Sequence, residues 1–121
     1  MLFSKNHIWV TVSGETARLG ISDYAQSELG AIVFLKLPDI GDEIIIGGHF
    51  GDVESLKTVS DLISPIRGKV VSTNENLTDA PNAINSLPYD SWFIEVKITD
   101  ISASLMDNSA YIEYLKTMSY N

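Results

Sequence analysis

The sequence predicts a mainly β fold of the α+β kind, a small barrel or sandwich with short helices at its edges. Short runs of β-branched and aromatic residues recur along the chain, Gly and Pro separate them, and strands do not alternate with long helices. The chain has 121 residues, of which 45% are hydrophobic, which is enough apolar material for one core. We therefore expect a single domain over residues 1–121.

The first elements follow from periodicity and turn signals. Residues 8–12 and 16–21 each have the residue pattern of a β-strand, and a turn at Gly14 separates them, which predicts a hairpin. Ser22 can cap a short helix that Gly30 would end with a positive φ. The apolar run over 31–37 predicts the next strand.

The second half continues in the same manner. We expect a short strand over 43–46, a hairpin around Lys57, and strands over 69–72 and 92–98, with a polar connection over 74–88 that has room for a helical turn. Asp107 can cap a last helix. A stripe of apolar residues repeats along it at helical spacing and predicts core packing: Tyr111, Tyr114, Leu115 and Met118.

Composition excludes several classes of function. Sixteen acidic against eight basic residues give a net charge of -8, which repels phosphate backbones and anionic lipid surfaces, so neither nucleic acid nor membrane is an expected partner. The chain contains no cysteine, and residues 1–5 lack the apolar core of a signal peptide. We therefore expect a cytoplasmic protein.

The sequence offers little for catalysis by the chain itself. His7 and His49 are its two histidines, and without cysteine they do not make a zinc site at any spacing that the sequence indicates. No Gly-x-Ser-x-Gly elbow is present. We expect neither a resident metal nor an enzymatic activity.

The most informative residue is Lys57, which lies between β-favouring residues in the segment 52–61. Turn signals bound both arms, with Gly47, Gly48 and Gly51 on one side and Ser64-Pro65-Ile66-Arg67-Gly68 on the other. The acidic residues at 52, 54 and 61 favour a charged ammonium group, whereas a nucleophilic lysine is usually desolvated. Lys57 is thus predicted to be a tether at a hairpin tip.

At this point the chain resembles the H proteins of the glycine cleavage system, which carry lipoic acid on a hairpin lysine. The resemblance includes Glu54-Ser55-Leu56-Lys57, Val59-Ser60-Asp61, Ser64-Pro65 and Gly68. It extends from His7 and Trp9, through residues 20–26 and 85–92, to 105–111. The resemblance implies a barrel-sandwich hybrid of the lipoyl/biotinyl-domain type.

The same resemblance implies a function for individual residues. Lys57 would bear the covalent lipoyl group, and Glu54 and Gly68 would help the attaching enzyme, a lipoate ligase or an octanoyltransferase, to recognise its target. For Gly68, a tight turn that demands a positive φ is the plainer reason for a glycine. Asp61 and His7 would line the cleft that receives the loaded arm.

The resemblance also implies partners. A glycine decarboxylase (P protein) would load the arm with the aminomethyl group of glycine, an aminomethyltransferase (T protein) would unload it, and dihydrolipoyl dehydrogenase (L protein) would reoxidise it. A flexible arm would raise the effective concentration of its sulfurs at each partner.

Three departures from the family pattern concern the cleft. Ile8 stands where a glutamate is usual, the segment Pro88-Tyr89-Asp90-Ser91-Trp92 lacks a glycine before its tryptophan, and Ala31 replaces a common acid. Isoleucine cannot pair with a cation. A second hypothesis is therefore an H-like lipoyl carrier outside glycine decarboxylation, acting as a lipoyl or octanoyl relay or in redox-linked protein modification.

Two further alternatives have distinct signatures. An acidic β-rich interaction module would gain no mass when exposed to a lipoate ligase. A biotin carrier usually has Met-Lys-Met at the acceptor, whereas Lys57 lies between Leu56 and Thr58, which disfavours biotin.

Overall fold

The computed structural model describes residues 1–118. Within this range the strands are Leu2–Phe3 (β1), Ile8–Ser13 (β2), Thr16–Ile21 (β3), Ile32–Lys36 (β4), Glu43–Ile44 (β5), His49–Ser55 (β6), Val59–Ile63 (β7), Ile66–Thr73 (β8) and Ile94–Ile101 (β9). The helices are Asp23–Leu29 (α1), Glu75–Asp79 (α2), Ala83–Ser86 (α3) and Asn108–Met118 (α4).

The strands form two sheets. One has the order β1-β2-β3-β9-β8-β5, and the other has the order β4-β6-β7. Their inward-facing side chains share one core, with Val10 and Leu19 from the first sheet and Leu35, Val53 and Leu62 from the second. The predicted mainly β architecture of two packed sheets is confirmed.

The β6–β7 hairpin is antiparallel, and its register decides which side chains face the core. Val53 pairs with Ser60, and Glu54 pairs with Val59 at the last rung before the tip. Because side chains alternate along a strand, Val53 is buried while Glu54 and Val59 lie on the outer face.

Helix α1 begins and ends as the sequence predicts. The Ala25 N–H donates to Ser22 Oγ, which caps the first turn, and Gly30 ends the helix with a φ of 80°. Ser22 itself is fully buried. The cap therefore joins the start of α1 to the interior.

Helix α4 packs its first turns on a second, smaller core. The Ala110 N–H donates to Asp107 Oδ1, so Asp107 caps the helix as predicted. Tyr111 stacks on Phe3, with ring centroids 4.3 Å apart. Met118, at the far end of the predicted stripe, instead lines a cavity on the α1 side.

The structure differs from the predicted elements in three places. Residues 2–3 form a short strand that the sequence did not indicate, and the last strand runs over Ile94–Ile101 and not over residues 92–98. The polar connection holds two short helices, α2 and α3, not one turn. No helix of the described residues is long and apolar enough to span a membrane.

The predicted turn at Gly68 is also wrong. β8 begins at Ile66, so Gly68 lies inside a strand, next to a bulge opposite β9, and its φ is not positive. A Cβ at this position would lie 2.1 Å from the Lys97 carbonyl oxygen. The close approach of the β9 backbone, and not a turn, requires this glycine.

Candidate functional site

Lys57 lies exposed at the tip of the β6–β7 hairpin, in the three-residue connection that includes Leu56 and Thr58. Leu56 is 80% exposed, although it is apolar. The predicted hairpin tip that presents a lysine is therefore confirmed as geometry.

Ser55 organises this tip. Its hydroxyl oxygen accepts from the Lys57 N–H at 3.3 Å and from the Thr58 N–H at 3.2 Å, and the Ser55 N–H donates to the Thr58 carbonyl at 2.8 Å. Ser55 is only 4% exposed. A buried side chain thus orders the backbone of an exposed lysine.

The tip rests on the segment that follows α1. The Leu56 N–H donates to the Ala31 carbonyl at 3.1 Å. A Cβ at Gly30 would lie 3.4 Å from Lys57 Cε, so the lysine stem passes over Gly30. The distance is an ordinary van der Waals contact, so it is the φ of 80°, and not the lysine stem, that favours glycine at residue 30.

Asn85 on α3 holds this supporting segment in place. Its Oδ1 accepts from the Ile32 N–H at 2.8 Å, and its Nδ2 donates to the Gly30 carbonyl and to Gln26 Oε1, each at 2.9 Å. One side chain therefore joins the end of α1 to the start of β4, directly beneath the tip.

A cavity of about 360 Å³ lies beside the tip, between α1 and the inner side of the hairpin. Tyr24, Glu28 and Leu29 line it from α1, and Val53 and Leu62 line it from β6 and β7. Leu29 precedes the glycine that the lysine stem crosses. An arm attached to the tip can therefore reach this cavity.

His7 lines the same cavity. It has a φ of 67°, and its Nδ1 lies 2.8 Å from the Tyr111 hydroxyl, which lies 2.7 Å from Ser22 Oγ. Burial lowers the pKa of His7, and the negative charge of Glu28 opposes this in part. His7 is therefore neutral at neutral pH.

Glu28 is a cavity residue that sequence reasoning missed. The Glu28 carboxylate beside the Tyr24 hydroxyl raises the pKa of Tyr24. The available signal was its helical spacing: residues 24, 25, 28 and 29 share one face of α1. The sequence could indicate this face of α1, but not that the β6–β7 hairpin forms the opposite wall of the cavity.

Asp61 also contributes to the cavity wall, yet its carboxylate lies near groups on the outer face of the hairpin. Asp61 pairs with Asp52 across the strands, and its Oδ1 lies 3.8 Å from His49 Nε2. His49 Nε2 lies closer to Asp52 Oδ1, at 2.8 Å, and this hydrogen bond raises the pKa of His49 and lowers that of Asp52.

The ligand atoms of His49, Asp52 and Asp61 all lie within 4.8 Å of one another. The sequence did not indicate this cluster because Asp61 reaches the other two through strand pairing and not through local spacing.

The two residues expected to guide the attaching enzyme occupy different environments. Glu54 is half-buried on β6, one rung from the tip, with exposed Phe34 and Val59 as its cross-strand neighbours. Gly68 is buried in the other sheet. Glu54 therefore shares a surface with Lys57, whereas Gly68 shapes the sheet behind it.

Ile8 is 1% exposed and belongs to the core. It pairs with Ile21, and Ile21 in turn lines the cavity. The residue that departs from the family pattern therefore lies in the core, and its strand neighbour Ile21 lies in the cavity wall.

Known proteins of one family match the chain. A family model described as Glycine cleavage H-protein matches residues 1–118. The Glycine cleavage system H protein of Geobacillus kaustophilus is 50% identical over 117 residues, which cover 96% of this chain and 91% of that protein. The protein of the same name from Staphylococcus haemolyticus is 52% identical over 101 residues, covering 83% and 80% respectively.

Solved structures agree with the sequence comparison. The crystal structure of a glycine cleavage system H protein from Mycobacterium marinum matches with a TM-score of 0.90 at 33% identity, and the match covers 95% of each chain. The two-sheet arrangement is therefore similar to that of a known H protein.

Proposed function

Because the chain belongs to the glycine cleavage H-protein family, a lipoyl-carrier family, we propose that Lys57 is its point of covalent lipoyl attachment. The observation that carries the proposal is the geometry of the tip: an exposed primary amine on a hairpin that Ser55 orders and that a hydrogen bond joins to the Ala31 carbonyl. We also propose that residues 1–121 act as one lipoyl-carrier domain.

The residues present fit a lipoyl group. Amide formation requires an amine that an enzyme can reach, and Lys57 projects from the chain. The arm then requires a place to fold back, and the cavity between α1 and the hairpin lies next to the lysine stem. Met118 and Leu29 supply apolar surface for the arm's hydrocarbon part.

When attached, the lipoyl group supplies a disulfide that accepts the aminomethyl group of glycine and carries it between the components of the glycine cleavage system. The chain itself presents the arm to its partners and shelters the cargo that the arm carries. The cavity keeps bulk water from the cargo, and the hairpin hands the arm to each partner. We propose that these partners are the decarboxylase, the aminomethyltransferase and dihydrolipoyl dehydrogenase.

Glu54 is proposed to guide the attaching enzyme, a lipoate ligase or octanoyltransferase, because it shares the outer face of the hairpin tip with Lys57. Gly68 is proposed to act indirectly, by allowing β8 to approach β9 closely. Asp61 and His7 are proposed to contact the folded-back arm from the cavity wall.

The test of attachment is intact mass after incubation with a lipoate ligase, lipoate and ATP. We expect the wild type to gain one lipoyl group and Lys57→Arg to gain none. Lys36→Arg, an exposed lysine on β4, is the matched control and should gain one. The Glu54→Gln variant should be modified more slowly, and an unchanged rate would remove Glu54 from the proposed site. A mass gain in Lys57→Arg would contradict attachment at Lys57.

A second experiment tests the role in glycine cleavage separately from lipoyl attachment. Lipoylated protein is combined with an active glycine decarboxylase, and glycine-dependent carbon dioxide release is measured. Release is the expected result. No release, with a decarboxylase that works on another H protein, would favour a lipoyl relay or a redox-linked role.

A further inference from the structure

The outer face of the β6–β7 hairpin brings two carboxylates together. Asp52 and Asp61 lie directly opposite each other in the register of the two strands. Like charges that face each other across a strand pair are destabilising. Lys36 of β4 pairs with Asp52 on the side away from Asp61, and β7 is an edge strand, so no described strand lies beyond Asp61. The Asp61 carboxylate therefore faces solvent with a second carboxylate beside it.

A bulge in β6 adds an imidazole to this face. Because side chains alternate along a regular strand, residues 49 and 52 would otherwise lie on opposite faces. The register of β6 against β7 shifts between His49 and Gly51, and Phe50 and Gly51 are both buried. Bulges re-aim side chains in this way. His49 is consequently exposed, with its Nε2 2.8 Å from Asp52 Oδ1 and 3.8 Å from Asp61 Oδ1.

The three side chains offer a set of metal ligands. One imidazole nitrogen and two carboxylate oxygens suit a divalent transition metal ion such as Zn²⁺. Ligand atoms that each lie about 2.0–2.2 Å from one such ion are about 3.0–3.5 Å apart. The ligand atoms of His49, Asp52 and Asp61 all lie within 4.8 Å of one another. Small side-chain rotations are therefore sufficient to bring all three to one ion.

The cluster is accessible to an ion from solvent. The side chains of His49 and Asp61 are 52% and 72% exposed, whereas that of Asp52 is 27% exposed. The open side of the edge strand leaves coordination positions for water. The net charge of -8 also attracts cations to the protein.

We propose that His49, Asp52 and Asp61 bind a divalent transition metal ion of the Zn²⁺ class on the outer face of the β6–β7 hairpin. The bound ion would join the two strands that lead to Lys57, but the site does not depend on lipoyl attachment. The proposal departs from the sequence expectation of no metal. That expectation considered spacing along the chain, whereas the third ligand is supplied by strand pairing.

The test is calorimetric titration of the untagged protein with zinc chloride. We expect saturable binding of one ion per chain. His49→Asn and Asp61→Asn should each weaken this binding at least about tenfold, since even the outer-shell partners of a metal ligand contribute about 10- to 100-fold. A substoichiometric amount of Mn²⁺ should broaden the backbone amide NMR signals of residues 49–52 and 60–62 before others.

Matched controls separate this site from other sources of binding. His7→Asn removes the other histidine and should bind Zn²⁺ as the wild type does. Lys57→Arg should also bind it unchanged, so failure of lipoylation and failure of this proposal are distinguishable. Mg²⁺ should bind at least about tenfold more weakly than Zn²⁺, because imidazole selects transition metals. Absence of saturable Zn²⁺ binding, an unchanged affinity in His49→Asn, or equal affinity for Mg²⁺ would overturn the proposal.

Discussion

Gly68 illustrates how one residue can be required by a neighbour that is distant in the chain. It lies in a strand with an ordinary φ, and the space that a side chain would need is filled by the Lys97 carbonyl and by Val96 Cγ1, 2.7 Å from a Cβ. Backbone atoms of a central strand cannot move aside cheaply.

We expect Gly68→Ala to lower the free energy of unfolding by about 2 kcal/mol or more, because the added methyl group overpacks the β8–β9 contact. Urea denaturation measures this. Lys69→Ala, at the next and exposed position of β8, should change stability by less than about 0.5 kcal/mol. Equal stability of Gly68→Ala and the wild type would show that the two strands can separate locally.

At the scale of elements, the site depends on how α1, α3 and β4 are joined. Asn85 accepts from the Ile32 N–H and donates to the Gly30 carbonyl, at the end of α1. The Tyr89 hydroxyl accepts from the Asp23 N–H at the start of α1. The segment over 85–92 therefore holds α1 at both ends. This is why a stretch far from Lys57 in sequence belongs to the same functional pattern.

Replacing Asn85 by Ala should destabilise the protein by about 2 kcal/mol, because the buried Ile32 N–H loses its acceptor. Hydrogen exchange should become faster at Ile32 and Leu56 and stay slow at Val10 in β2. Asn76→Ala on α2, an exposed position, is the control. Unchanged exchange at Ile32 would mean that water replaces the asparagine oxygen without cost.

At the scale of the whole molecule, the two histidines respond to pH in opposite directions. Burial holds the folded-state pKa of His7 below its ordinary value of 6.5, so the unfolded chain binds more protons as pH falls below that value. His7 therefore destabilises the fold in acid. The hydrogen bond to Asp52 raises the pKa of His49, which contributes stability below 6.5 that is lost as pH rises through its folded pKa.

We expect the pH dependence of stability between about pH 8 and about pH 5 to change in opposite senses in two variants. His7→Asn should flatten the loss of stability toward acid, and His49→Asn should steepen it. Urea unfolding at a series of pH values measures both slopes. The same slope in both variants would contradict the opposed environments of the two rings.

Sequence reasoning identified the residues whose role is local. The tip at Lys57, the Ser22 and Asp107 caps and the alternation of β3 were readable because turns, caps and strand periods are written in adjacent residues. The family pattern extended this to the carrier function. Attachment at Lys57 and the roles of Glu54, Gly68, Asp61 and His7 remain predictions.

Only the tertiary structure decided the contacts between residues that are distant in sequence. The sequence by itself determined a lysine-bearing hairpin in a small β fold with acidic charge. It could not determine that Ile8 faces the core, that Glu28 and His7 share a cavity, or that β9 forbids a side chain at Gly68. Strand register and the packing of α1 set these contacts, and both are settled by the whole core at once.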